Sequence, residues 1–86
     1  MYTATVYTRP GCMKCRATTR KLQQLGVFVT EEQLDDHPDK IQLMRDEERT
    51  ALPLVEVVDP SGELFRWSDM STTDLDALAF VITNAA

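Results

Sequence analysis

Apolar and polar positions follow two different rhythms along this chain. Thr3 to Thr8 is rich in β-branched and aromatic residues and stops at Pro10-Gly11, the pattern of a strand running into a turn. From Met13 the rhythm becomes helical. Cys15, Thr18, Leu22 and Leu25 recur at spacings of three and four, which defines one inward face. Gly26 is placed to cap that helix, with Lys21 near the negative end of its dipole. Val27 to Thr30 reads as a short second strand. Strand, helix and strand then make a β-α-β unit whose two strands run parallel.

Asp35-Asp36-His37-Pro38 is a helix-start signal, an acidic cap with Pro at the first turn. The helix it opens carries Ile41 and Met44 and ends around Glu48; being short and charged, it is expected on the surface. Leu54 to Val58 is mostly apolar, which predicts a third strand buried on both faces. A turn at Asp59-Pro60-Ser61-Gly62 leads to a fourth strand, Glu63 to Trp67, antiparallel to the third. Ser71-Thr72-Thr73-Asp74 resembles a capping box, and Leu75, Leu78 and Ile82 share one face of a last helix. The order β-α-β-α-β-β-α predicts an α/β architecture: a four-stranded mixed sheet with three helices around one small core. That is the order of elements of the thioredoxin-like fold.

Composition narrows the class. Eighty-six residues suit one domain spanning 1–86, and 43% apolar with 27% charged residues suits a soluble globular chain. No apolar run approaches the roughly 20 residues of a membrane span. The first residues lack the basic start and cleavage site of a signal peptide, so a cytoplasmic protein is expected; a monomer is expected as well. A net charge of −5 weighs against nucleic acid as a partner. Its distribution says more. Residues 1–30 hold Arg9, Lys14, Arg16, Arg20 and Lys21 without one acid, a charge of +5. Residues 31–86 hold all fourteen acids against Lys40, Arg45, Arg49 and Arg66, a charge of −10. Either the bases share one solvated helix face by chance, or they form an electropositive zone around the cysteines that draws acidic partners.

The only two cysteines form Cys12-Met13-Lys14-Cys15 at the junction of the first strand and helix. A disulfide closing so short a loop restrains the unfolded chain little, so chemistry is the better reason for the pair. At the helix start Cys12 is the attacking thiolate, stabilised by backbone N–H groups and the dipole, and Cys15 the resolving thiol one turn further in. Arg9 and Lys14 lower the Cys12 pKa. The competing reading is metal. A structural zinc site wants four ligands, this pair supplies two, and His37 lies beyond the second strand, so such a site needs a second chain.

Pro53, on composition alone, is a Pro at the first residue of a strand. Trp67 is equally a core-edge residue or part of a docking surface. Taken together, Tyr7-Thr8-Arg9-Pro10-Gly11-Cys12-Met13-Lys14-Cys15, Leu52-Pro53 and Trp67-Ser68 resemble the glutaredoxin-like redoxins, with the NrdH-redoxins as the nearest branch. The resemblance implies that Cys12 is the nucleophile and Cys15 the resolving thiol, linked as a redox-active disulfide with no other cofactor. It implies that Pro53 is cis and faces the disulfide, that the Leu52 backbone bonds a bound partner, and that Trp67-Ser68 belongs to the partner surface. It further implies ribonucleotide reductase as electron acceptor and thioredoxin reductase as donor. Two features depart from the family: Asp69-Met70-Ser71 replaces the usual Gly-Phe-Arg, and the Gly-Gly before the last helix of glutathione-using glutaredoxins is absent. The alternatives are a glutathione-dependent glutaredoxin and a non-catalytic thioredoxin-like binding subunit.

Overall fold

The computed structural model describes residues 1–84. Strands β1 (Thr3–Thr8), β2 (Phe28–Gln33), β3 (Leu54–Val58) and β4 (Leu64–Ser68) alternate with helices α1 (Met13–Gln24), α2 (Pro38–Asp46) and α3 (Thr72–Thr83). The strand order is β2-β1-β3-β4. β1 and β2 are parallel, and β3 is antiparallel to both β1 and β4. The thioredoxin-like fold read from the sequence is the fold observed.

The period of two along β1 and β3 separates two cores. Ala4 and Val6 of β1 with Val55 and Val57 of β3 meet Leu22 of α1 and Leu75 and Leu78 of α3 on one face. On the other face Tyr7 and Leu54 pack on Leu34 and Met44, beneath α2. Helix α2 is therefore not merely a surface element: it covers the second face of the sheet. The sheet separates two clusters where the sequence suggested one core.

Several boundaries differ from expectation: β2 starts one residue late, at Phe28, and α2 ends at Asp46, short of Glu48. β2 runs three residues past Thr30, through Glu31, Glu32 and Gln33, because an edge strand with its side chains open to water accepts polar residues. The acids Asp35 and Asp36 lie in a 3-10 turn, Leu34–Asp36, instead of capping α2; the cap position is His37, which makes no side-chain cap hydrogen bond. β4 starts one residue later and includes Ser68. The other terminal signals act as their chemistry dictates. Gly26, at φ +83°, ends α1 in the left-handed region, and Ser71 Oγ accepts the Asp74 N–H at 3.1 Å to cap α3.

Candidate functional site

Where β1 ends, the chain must reverse into α1 within a few residues. Arg9 to Cys12 form a turn closed by the Cys12 N–H donating to the Arg9 carbonyl at 3.2 Å, with Pro10 second and Gly11 third. Gly11 sits at φ +78°, which the third position of a type II turn requires and glycine adopts without strain. The turn delivers Cys12 to the N-cap of α1. Its Sγ accepts the Cys15 N–H at 3.1 Å, so the sulfur occupies the place of a capping side-chain oxygen.

Cys12 and Cys15 are joined as a disulfide, with Cα atoms 5.3 Å apart. Their surroundings differ. Cys12 is partly exposed, whereas Cys15 has no solvent-accessible surface and lies on the inward face of α1 with Thr18 and Leu22. Met13, between them, is 80% exposed.

The remaining residues singled out in the sequence converge on this end of the sheet. Leu52-Pro53 is a cis peptide, with Pro53 buried at the start of β3. The Pro53 carbonyl accepts the Asp69 N–H at 2.9 Å. Leu54 pairs with Ser68 across the ladder, and Ser68 Oγ accepts from Arg49 at 3.3 Å. Asp69 adds a second link: its Oδ1 accepts from Lys14 Nζ at 3.0 Å and from the Met70 N–H at 2.7 Å. One aspartate thus ties the residue beside Cys15 to the loop beside Pro53. The Lys14 ammonium, then the Met70 N–H, hold the Asp69 carboxyl below its usual range. Trp67 is only 6% exposed and packs in the core with Val55 and Leu78; its Nε1 has no acceptor among the described residues. Its ring supports this end of the sheet from beneath.

Arg9 is paired too. Its guanidinium donates to Asp35 at 3.0 and 3.2 Å, both side chains being exposed. The acid-free segment around the cysteines is thus not acid-free in space, since folding returns Asp35 to Arg9 and Asp69 to Lys14. Beside Arg9 a cavity of about 210 Å³ is bounded by Arg45, Arg49, Thr50 and Leu52. His37 stands edge-on to Tyr7, ring centroids 5.1 Å apart, with Nε2 3.9 Å from a Glu32 oxygen. No group of three or more His, Cys, Asp or Glu among the described residues could hold a metal. No helix among them is long and apolar enough to cross a membrane.

The glutaredoxin family model matches residues 4–59, from β1 through β3. The chain belongs to the glutaredoxin family. Among solved structures it is similar to the glutaredoxin-like protein NrdH-redoxin from Escherichia coli, at 25% identity and a TM-score of 0.67, over 88% of this chain and 93% of that one. A chloroplastic thioredoxin z (17% identity, TM-score 0.62, 96% of this chain and 79% of that one) shares the fold. So does Fasciola hepatica thioredoxin, at 18% identity and a TM-score of 0.58, over 92% of this chain and 78% of that one. No curated protein matches. With a Cys-x-x-Cys disulfide at the head of α1, the chain is a dithiol oxidoreductase that exchanges thiols and disulfides with proteins.

Asp69 at the site and Glu56 on the other face of the sheet were not found by sequence reading. Asp69 was visible only as a departure from the family's usual residue; its pairing with Lys14 spans 55 positions and carries no local signal. Glu56 was read as part of an apolar strand, yet it is 7% exposed and lies under α2.

Proposed function

We propose that this redoxin donates electrons to a protein disulfide, that of ribonucleotide reductase, and is itself reduced by thioredoxin reductase in the cytoplasm. The observation that carries the exchange mechanism is the asymmetry of the pair: a partly exposed Cys12 at the N-cap and a fully buried Cys15. In the reduced protein the Cys12 thiolate attacks the partner disulfide. A Cys12–partner bond forms, and the partner's first sulfur leaves as a thiolate and takes a proton. Cys15 then loses its proton and attacks Cys12 Sγ, closing Cys12–Cys15 and releasing the second partner sulfur. Two electrons pass to the partner. The Cys15 N–H, which already points at Cys12 Sγ, favours the thiolate form of Cys12.

Leu52 and Ser68 form the surface a bound partner meets, with the buried Pro53 and Trp67 holding it from below and Arg9 and Lys14 at its rim. The similarity to an NrdH-redoxin described as having a thioredoxin-like activity profile supports the choice of reductase and acceptor. The test is catalytic reduction of the oxidised protein by thioredoxin reductase, followed as NADPH consumption. Turnover there is the expected result. Turnover with glutathione alone overturns the assignment in favour of a glutathione-dependent glutaredoxin. The roles within the pair are tested by alkylating the reduced protein at mildly acidic pH, where Cys12 should be labelled first.

A further inference from the structure

Helix α1 carries Lys14, Arg16, Arg20 and Lys21 and no carboxylate. Of the other positive side chains, Arg9, Lys40, Arg49 and Arg66 each lie 3.4 Å or less from a carboxylate oxygen, as does Lys14 at the head of α1, and outside α1 only Arg45 has no such partner among the described residues. Arg16, Arg20 and Lys21 are exposed and have no such partner among the described residues, in a chain of net charge −5. Beside them a groove of about 400 Å³ separates α1 from α3. Ala17, Arg20 and Lys21 line one wall, and Met70, Leu75 and Asp76 the other. Asp76 is its one acid and pairs with neither base among the described residues. Met70 follows Asp69, which holds Lys14, so the groove opens beside the disulfide loop.

We propose that this face of α1, with the groove beside it, docks an acidic segment of the protein whose disulfide is exchanged. The segment's carboxylates meet Arg16, Arg20 and Lys21, and its apolar side chains seat against Ala17 and Met70. Charge selects the occupant. The molecule as a whole repels an acidic partner, and α1 is the one helix that attracts it. The field therefore also orients the encounter, with Cys12 at the head of the attracting helix. A basic partner would be drawn to the acids contributed by residues 31–86 and repelled by this face of α1. The inference rests on the exchange reaction proposed above and names the chemistry of its partner.

The experiment uses the reduced full chain and three synthetic peptides, each closed by one internal disulfide and flanked by runs of glutamate, serine or lysine. The glutamate peptide should be reduced about fivefold faster than the serine peptide at low salt, an advantage that vanishes near about 0.5 M salt. In the combined Arg16→Gln, Arg20→Gln, Lys21→Gln variant the preference disappears. The combined Thr3→Glu, Thr30→Glu, Gln42→Glu variant makes the same change in net charge elsewhere and keeps it. Equal rates for the three peptides, a preference for lysine, or equal loss in both variants overturns the docking proposal alone. Reduction of none of the peptides overturns the exchange reading and this inference with it.

Discussion

Asp69 makes four segments of chain one unit: the cysteine loop through Lys14, the Pro53 loop through its own N–H, the end of β4 and the approach to α3. It also cancels a positive charge that stands between the two cysteines. Asp69→Asn should free Lys14 and lower the Cys12 pKa by less than about one unit, both groups being exposed. Ultraviolet thiolate absorbance of the reduced protein against pH reads the shift; an unchanged curve removes Asp69 from the tuning of the pair. On the other face of the sheet Glu56 plays a different part. It accepts from Lys40 at 3.1 Å and from Arg66 at 2.6 Å while almost wholly buried. Burial pushes its carboxyl up, but the hydrogen bonds from Lys40 and Arg66 outweigh this and hold it below the ordinary value. Glu56→Ala leaves Lys40 without a carboxylate and Arg66 with only Glu47, at 3.4 Å, and should cost about 2 kcal/mol in urea unfolding. The sign with pH follows from a folded pKa lowered relative to the unfolded chain. This contribution is complete above the ordinary carboxyl pKa and is lost as pH falls through the lowered one.

At the scale of elements, the strands and helices were legible wherever the apolar period ran uninterrupted. β1, α1 and β3 have the extents their patterns predict, to within a residue, and the faces of α1 and α3 point inward as their spacing requires. The pattern failed where an edge strand needs no apolar face, so Glu31 to Gln33 of β2 carried no strand signal. It failed again at Asp35-Asp36, whose acids resemble a cap but serve a 3-10 turn and an ion pair with Arg9. The cysteine site was legible because its chemistry depends on local spacing at one turn. Its partners Asp35 and Asp69 were not, since the contacts that matter join residues 26 and 55 positions apart. Capping offers a clean check on the local rules. Ser71 accepts one N–H of the first turn of α3, and Asp74 returns no side-chain bond to it, so half of the expected capping box is present. Ser71→Ala should therefore cost about 1 kcal/mol, measured by chemical denaturation.

Across the whole molecule, both faces of one sheet are covered, with α1 and α3 over an apolar core and α2 over a smaller core beside a charged network. The disulfide lies at the edge of the first, anchored by a buried Cys15, while the buried carboxylate, Glu56, with its two cations lies on the second. Acid well below the ordinary carboxyl range should therefore weaken the α2 side first, seen as faster amide exchange in α2 than in α1 at that pH; equal acceleration in both helices would contradict this separation. Trp67 makes the first core observable. It is the chain's only tryptophan, it is buried against Val55 and Leu78, and the backbone one step beyond Ser68 is bonded to Pro53. The protein thus carries its own optical probe at the Pro53 end of the sheet. Emission from the folded chain should lie to the blue of free indole in water and move red in a single step on denaturation, with no dye attached.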